Sequence, residues 1–563
     1  MLNIVTGSPG SNKTTALLIL TKLLAEMGLR VLYLRNSHRQ IKEDADFLRQ
    51  LGVRAAVWEG FERKCPRYRR GDELIKRLKD EAHLTAEVLC QICDEAKGCS
   101  YKAQFKTSAR VILAPVDYLW TGYPEQANPD IIIIDEPPDR WVWLPKLSEK
   151  DLKEFRGHFR FHKKFLLGTG RYTVKDFRRE LARFAAQILE EELKKGASVD
   201  ELVKWAKKAI RYDIVKLAEY LRLRRLYGRD QAYAVPYLFY ALDFAREGKT
   251  VIYVDAYHDE ELTGYLLEEY KKGRGWAPGL NVIQVEAPGG PKGEVIRVRL
   301  ADYPDAWWSA RSVKERKRTR RALARRVIRL ARAYKAKKVG IITYKDAEPY
   351  LKEAVERALP GINVVSLHFK NLRSSNAMWD VDVLFVVGTY TENLGALREL
   401  ARALFPDANL SFEDEKLPGG GYRYKDPRVE ALRRVREDGE QYNAIHRARP
   451  VVRAVKVFVF GRVPVRVYKE GLPVRGMPIE DPLWCRVLQD LRRELEARGE
   501  VRLSEFIEAE RRKLRKDRRV VWAWAMDAAN YLWREGVARA EKRPRGGRGR
   551  PALYLVWVKK PGD

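Results

Sequence analysis

The loop Gly7 to Thr15 (GSPGSNKTT) constrains this chain more than any other segment. It lies between an apolar run, Leu2 to Thr6, and a stretch of helical periodicity, Thr14 to Met27. A second strand, Arg30 to Arg35 (RVLYLR), follows. A β-loop-α-β unit of this kind predicts a parallel sheet covered by helices, and so an α/β fold. The loop fits the Walker A spacing at Gly7, Lys13 and Thr14, with Asn12 where a second glycine is expected. The pattern has a physical reason. Backbone N–H groups and a helix N-terminus cradle phosphate oxygens, a lysine neutralises them, and a hydroxyl ligates Mg²⁺. Asn tolerates a left-handed backbone better than other non-glycine residues, so Asn12 can stand in. The candidate nucleotide-binding residues are Gly7, Gly10, Asn12, Lys13, Thr14 and Thr15. The plain alternative is a Gly-rich strand–helix turn with a surface lysine.

The acidic partner is Ile131 to Pro138 (IIIIDEPP), an apolar run ending in Asp-Glu. By itself such a run marks a strand leaving a core. Downstream of a phosphate loop it reads as Walker B, with Asp135 holding Mg²⁺ through water and Glu136 orienting or deprotonating the attacking water. The two motifs together predict an ATPase.

Further along, Val111 to Ala114 reads as another strand of the first sheet, and Cys65 to Tyr101 as a polar insertion before it. Leu147 to Glu247 is nearly all helical periodicity, dense in Arg and Lys, and Thr250 to Ala256 returns to strand. A second strand-and-helix region runs from about Asn281 to Val465, with strands at Val339 to Thr343, Val364 to Ser366, Val383 to Val387 and Val455 to Phe460. The expected layout is a first parallel-sheet domain over 1–260, with insertions at 60–105 and 145–248, then a second over 261–470. Beyond it, three helices and a hairpin with a basic turn, Pro544 to Arg550 (PRGGRGR), describe a winged helix over 478–560, its second helix capped by Ser504.

Charge narrows the partner. Lys and Arg number 109 against 77 Asp and Glu, a net +32 in 563 residues. A charge-rich, heat-adapted surface is expected as well, but heat adaptation raises both signs together, so the imbalance itself points to a polyanion, with nucleic acid held by counterion release. No apolar run approaches the ~20 residues that span a bilayer, and no signal segment opens the chain, so the expectation is a cytoplasmic protein without a membrane partner. Protein partners are not legible. Four of the five cysteines, Cys65, Cys90, Cys93 and Cys99, fall between the Walker elements, and the last three lie within ten residues. In a reducing compartment that grouping reads as a metal site, zinc or iron–sulfur, against the alternative of four unrelated buried thiols. Cys485 reads as core.

With these residues in view, the chain resembles the iron–sulfur DNA helicases of the XPD and DinG kind, in superfamily 2. Tyr33 to Gln40 (YLRNSHRQ) looks like motif Ia, Glu59 to Pro66 (EGFERKCP) like the stretch carrying the first cluster cysteine, and Cys99 to Tyr101 with Ala109 to Leu119 like the segment that follows the last. Val251 to Tyr257 is similar to motif III, Gly340 to Lys345 to motif IV, and Ser366 to Thr389 to motif V. Gln441 to Pro450 (QYNAIHRARP) resembles motif VI, with Arg447 and Arg449 displaced from the usual spacing. DEPP replaces DEAH, so the histidine that couples hydrolysis to strand contact is absent. The resemblance implies two RecA-like domains closing on ATP and Mg²⁺, a [4Fe–4S] cluster rather than zinc, an arch-like helical insertion, and 5′ to 3′ movement on single-stranded DNA. It places Gln441 and Arg447 or Arg449 at the γ-phosphate, and Asn36, Ser37 and His38 on the strand. Arg518 and Arg519 of the last helix, with Arg543, Arg545, Arg548 and Arg550 of the wing, are the candidate grips on the duplex of a forked substrate. Two other functions fit the same residues: a DNA-binding regulator or replicon-maintenance protein with a degenerate ATPase, and an RNA-directed helicase.

Overall fold

The computed structural model describes all residues except 1, 10–11, 96–97, 122–126, 136–140, 145, 147–173, 210–219, 221–222, 225, 230, 278, 286–289, 299–312, 373–376, 417–421, 465, 468–471, 477–482, 516, 535–537, 544–551 and 559–563. Nine strands open the chain: β1 (Leu2–Gly7), β2 (Val31–Arg35), β3 (Ala55–Val57), β4 (Val111–Pro115), β5 (Ile131–Asp135), β6 (Trp141–Leu144), β7 (Tyr233–Pro236), β8 (Thr250–Asp255) and β9 (Leu280–Val285). Seven of them form one sheet in the order β3-β4-β2-β5-β8-β1-β9, every pair parallel. Burial explains the sequence of β5. Ile131 and Ile133 face one layer with α1 (Lys13–Glu26) and α2 (His38–Gln50); Ile132 and Ile134 face the other. A parallel sheet covered on both sides takes a continuous apolar run because both faces of the pleat are buried. Each fully buried isoleucine adds roughly 2–3 kcal/mol.

The second sheet uses β10 (Glu294–Arg297), β11 (Lys338–Thr343), β12 (Asn363–His368), β13 (Val383–Val387) and two later strands, β16 (Lys456–Phe460) and β17 (Val474–Gly476). Its order is β12-β11-β13-β16-β10-β17, again parallel throughout. A short antiparallel pair, β14 (Asp414–Lys416) and β15 (Tyr422–Tyr424), stands apart from it. Two parallel α/β domains are thus present, as the RecA-like expectation requires. The second domain was expected over 261–470, with its strand-and-helix region starting at about Asn281; β9, within that range, pairs instead with β1 on the outer edge of the first sheet. Its side chains are largely exposed, so its pattern carries no sign of which core it serves.

The two insertions form a common body. Phe61, Leu78, Leu89 and Tyr101 of the cysteine-bearing segment pack with Ala182, Ala185, Leu189, Leu202 and Ala206 of the helical one, α3 (Val174–Lys194) and α4 (Val199–Ala209). Ion pairs Arg77–Asp200 at 2.7 Å and Lys207–Glu81 at 2.8 Å join their exposed rims. The pair β6 and β7 is antiparallel and closes the base of the helical insertion.

The C-terminal region has the order α-β-α-α-β-β: helix Leu483–Arg498, β18 (Glu500–Arg502), helices Leu503–Leu514 and Arg518–Arg534, then β19 (Ala538–Arg543) and β20 (Ala552–Trp557). The strands pair antiparallel as β18-β20-β19 around Leu491, Leu495, Phe506, Val521, Trp524 and Leu555. This is a winged-helix arrangement. Ser504 does not cap its second helix, which starts one residue earlier with Arg502 at the cap position and no side-chain cap.

Candidate functional site

In open parallel sheets ligands bind beyond the carboxyl ends of the strands, and the candidate residues gather there. Gly7 ends β1 under close constraint: a Cβ at this position would lie 2.4 Å from the Val285 carbonyl oxygen of β9. Asn12 adopts φ 60° and ψ 22°, the left-handed conformation that a second glycine would supply. It stands immediately before α1, and its carbonyl accepts the N–H of Ala16 at 2.9 Å. Lys13 is buried, and its ammonium donates to the Gly7 and Ser8 carbonyls, both at 2.8 Å. Thr15 follows on the same turn. Gly10 lies outside the described residues.

Asp135 ends β5 almost fully buried. Its Oδ2 accepts from Thr14 Oγ1 at 3.0 Å, from the Tyr33 hydroxyl at 2.8 Å and from Arg35 Nη1. Arg35 Nε pairs with Asp44 Oδ2 at 2.9 Å. Two carboxylates thus share one buried guanidinium, and a phenol donates to one of them. Burial pushes the Tyr33 hydroxyl well up, and the neighbouring Asp135 charge adds to it. The Asp44 carboxyl is pushed up to about 6, first by burial and then by Asp135, with Arg35 opposing. The second oxygen of Asp135, Oδ1, is buried and without a hydrogen-bond partner among the described residues. An unsatisfied buried carboxylate oxygen beside a Thr hydroxyl is a donor set that suits a hydrated Mg²⁺. Glu136 lies outside the described residues.

Arg35 is followed directly by the residues expected on a single strand. Ser37 caps α2: its hydroxyl accepts the Gln40 N–H at 3.3 Å and bonds the Gln40 side chain at 3.1 Å. Asn36 and His38 flank it, half-buried. The His38 imidazole is held below its usual value by burial and then by the Arg63 charge, against Glu59 and Asp117.

The second domain meets this edge through one long helix in three parts: Pro427–Arg433, a π-helical stretch Arg434–Asp438, and Gly439–His446. A π-turn takes an extra residue, so every side chain beyond it is rotated relative to a regular helix. Gln441 was expected at the phosphates. Instead it is fully buried, and its amide is spent on backbone after β13, accepting from Tyr390 N–H at 3.1 Å and donating to the Gly388 carbonyl at 3.2 Å. Its amide is thus committed to backbone of the second domain. Arg447 caps the helix end, and Arg449 follows in a left-handed conformation, φ 55°.

Other arginines cross between the domains. Arg434 forks onto Asp259, at 2.9 and 3.2 Å, and reaches Glu261 at 2.8 Å. Arg466 donates to the Thr6 hydroxyl at 2.7 Å and the His258 carbonyl at 2.8 Å. Tyr257 and Tyr442 pack ring against ring across the seam, centroids 5.4 Å apart, and a Cβ on Gly439 would sit 3.2 Å from the Tyr257 ring. Burial raises the Tyr257 hydroxyl, and Asp438 and Asp259 raise it further. Sequence reasoning missed Arg434 and Arg466 because neither falls within a motif. The only prior signal was their place near chain segments that parallel topology brings to the cleft.

Cys65 and Cys99 are buried in the insertion core and Cys90 packs against it; Cys90 and Cys93 are half-buried, and none of the four is in a disulfide. Burial pushes the Cys90 thiol up to about 12, with Cys99, Cys65 and Cys93 adding and Lys102 opposing. Burial raises Cys65 as well, against backbone N–H groups of Tyr68 and Arg67. Cysteine thiolates are ligands that suit a soft metal or cluster. Among the described residues, however, no three His, Cys, Asp or Glu side chains gather as a metal-binding group.

On the winged helix, Arg518 pairs with Glu508 at 2.8 Å and stays two-thirds exposed, and Arg519 is exposed. Arg543 is more tied down than expected, to Glu500 and Glu541 at 2.9 Å each, with its guanidinium 4.6 Å from the Tyr554 ring centroid. Arg545, Arg548 and Arg550 lie outside the described residues. Val520 and Trp522 are exposed beside Arg519, while Trp524 is core. No described helix is long and apolar enough to cross a membrane.

No protein-family model matches the chain, and no curated protein does. Solved structures are similar to it at low identity. A structure described as an XPD helicase is 14% identical, covers 84% of this chain and 96% of its own, and gives a TM-score of 0.46. Xpd4 of S. tokodaii is 12% identical over 84% of this chain and 95% of its own, TM-score 0.41. The Escherichia coli DEAH/RHA helicase HrpB is 11% identical over 98% of this chain and 63% of its own, TM-score 0.34. At these scores the likenesses assign no residue a role.

Proposed function

We propose that this chain is an ATP-dependent DNA helicase or translocase acting on single-stranded or forked DNA. One observation carries the reading: the Lys13 loop and the Thr14–Asp135 hydrogen bond stand together at the carboxyl ends of β1 and β5, facing a second parallel domain. Asn12 in the left-handed conformation supplies what the missing glycine would, so that departure does not argue for a dead site.

In this reading Lys13 and the loop N–H groups hold the β- and γ-phosphates. Thr14 and the free Oδ1 of Asp135 would hold Mg²⁺, which neutralises developing charge on the phosphates when bound. Tyr33 and Arg35 fix the Asp135 carboxylate through Oδ2, which also accepts from Thr14, and leave Oδ1 for the ion's shell. Glu136 orients the attacking water, and Arg447 or Arg449 approaches from the second domain. Closure and opening of the cleft then step the domains along a strand touched by Asn36, Ser37 and His38. The four cysteines are proposed to hold a [4Fe–4S] cluster as a structural element of the insertion; no step above depends on it. The winged helix grips the duplex through Arg518, Arg519 and the wing.

Strand separation on forked duplexes carrying one or the other tail, with ATP present, tests the reading. Unwinding of the 5′-tailed fork supports it. Binding with no separation on either fork favours a DNA-binding regulator, and ATPase stimulation by RNA in preference to DNA favours an RNA-directed enzyme.

A further inference from the structure

Arg466 lies outside every motif, yet its guanidinium touches three parts of the cleft at once. One terminal nitrogen donates to Thr6, the residue that enters the phosphate loop, and the other to the carbonyl of His258, just past β8. Its central carbon lies 5.4 Å from the ring centroid of Tyr257 of the first domain and 5.5 Å from that of Tyr442 of the second, beside the place where the two rings meet. A guanidinium held by two hydrogen bonds and against two rings is fixed in place.

We propose that Arg466 is the positioning residue through which the second domain senses nucleotide in the first. The inference rests on the ATP-driven reading above and adds to it the residue that carries coupling. Thr6 is joined directly to Gly7, whose carbonyl takes the Lys13 ammonium at 2.8 Å. Any shift of Gly7 and Ser8 as phosphate enters is felt at Thr6, and through its hydroxyl at Arg466. Conversely, opening the cleft draws Arg466 off both of its first-domain acceptors and separates Tyr442 from Tyr257. Loop state and domain closure are therefore linked, and linkage is reciprocal: a strand that favours closure must raise nucleotide affinity through the same contact.

The test is nucleotide affinity with and without single-stranded DNA, read by titration with a fluorescent ATP analogue on the full chain. Wild type should show at least about a 5-fold tightening on adding the strand, within the usual range for coupled sites. Arg466→Ala should reduce that ratio to about 1 while still binding nucleotide, and Arg466→Lys, which keeps charge but not the planar fork, should fall between. Thr6→Val removes only the hydroxyl acceptor and should lower the ratio in the same direction, which carries the test if Arg466→Ala fails to fold. An unchanged ratio in folded Arg466→Ala or Thr6→Val overturns the inference. Loss of hydrolysis in Lys13→Ala alongside that unchanged ratio leaves the ATPase reading standing, so the two failures are distinguishable.

Discussion

Replacing Asp44 by asparagine should stabilise this protein. Asp44 is buried on α2 and shares Arg35 with Asp135, so two carboxylates draw on one guanidinium. Its carboxyl is pushed up to about 6 from the ordinary 3.8. The folded chain therefore holds this proton more tightly than the unfolded chain does. Stability from this group is complete below about 3.8 and is lost as pH rises through about 6. At pH 7 the ionised form costs about 3 kcal/mol. Asparagine is nearly isosteric, never ionises and keeps an oxygen towards Arg35 Nε. Asp44→Asn should thus gain about 2–3 kcal/mol at pH 7, and about half of that at pH 5, where wild type has taken up most of the proton. Urea denaturation of both proteins at the two pH values reads this from midpoints at constant slope. A variant less stable than wild type at pH 7, or a gap that does not change with pH, would refute the charge-sharing argument.

Gly7→Ala forces a Cβ into the space of the Val285 carbonyl, so β9 must shift or the loop must reshape; nucleotide affinity should fall at least about 10-fold, and an unchanged titration would contradict the close approach. Removing Arg518 and Arg519 together should weaken duplex binding alike for every sequence and lower the salt slope by up to about 2; a sequence-dependent loss would mean base readout instead. Trp522→Ala, at a side chain 52% exposed, should change stability by no more than about 0.5 kcal/mol, and a large loss on melting would place that ring in the core. Purified protein should be straw-brown, absorbing near about 400 nm, and should lose the colour in Cys65→Ser; a colourless protein with one bound zinc would reassign the cysteines.

What the sequence revealed follows from the range of the interactions involved. The phosphate loop, β5 and the winged helix are local patterns, in which spacing of a few residues sets both conformation and chemistry. Asn12 could be read as a left-handed substitute because that preference belongs to the side chain itself. The chain offered no comparable signal for β9, an exposed edge strand whose pairing with β1 spans nearly the whole first domain. Nor do residue types and spacing announce the five π-helical residues upstream of Gln441, or the backbone groups that its buried amide bonds. Arg434 and Arg466 were illegible because their roles depend on which surfaces the two sheets turn towards each other. Arg35 lay in plain view beside the strand-contact residues, yet its attachment to Asp135 is made between strands about a hundred residues apart in sequence.

On the proposed reading, Lys13 and Asp135 form a working phosphate site driven by nucleic acid. Phosphate release by wild type and by Lys13→Ala, each with and without single-stranded DNA, addresses it most directly. Strand-stimulated release that disappears with Lys13 is the predicted result; equal release from both proteins, with the strand present, would contradict it.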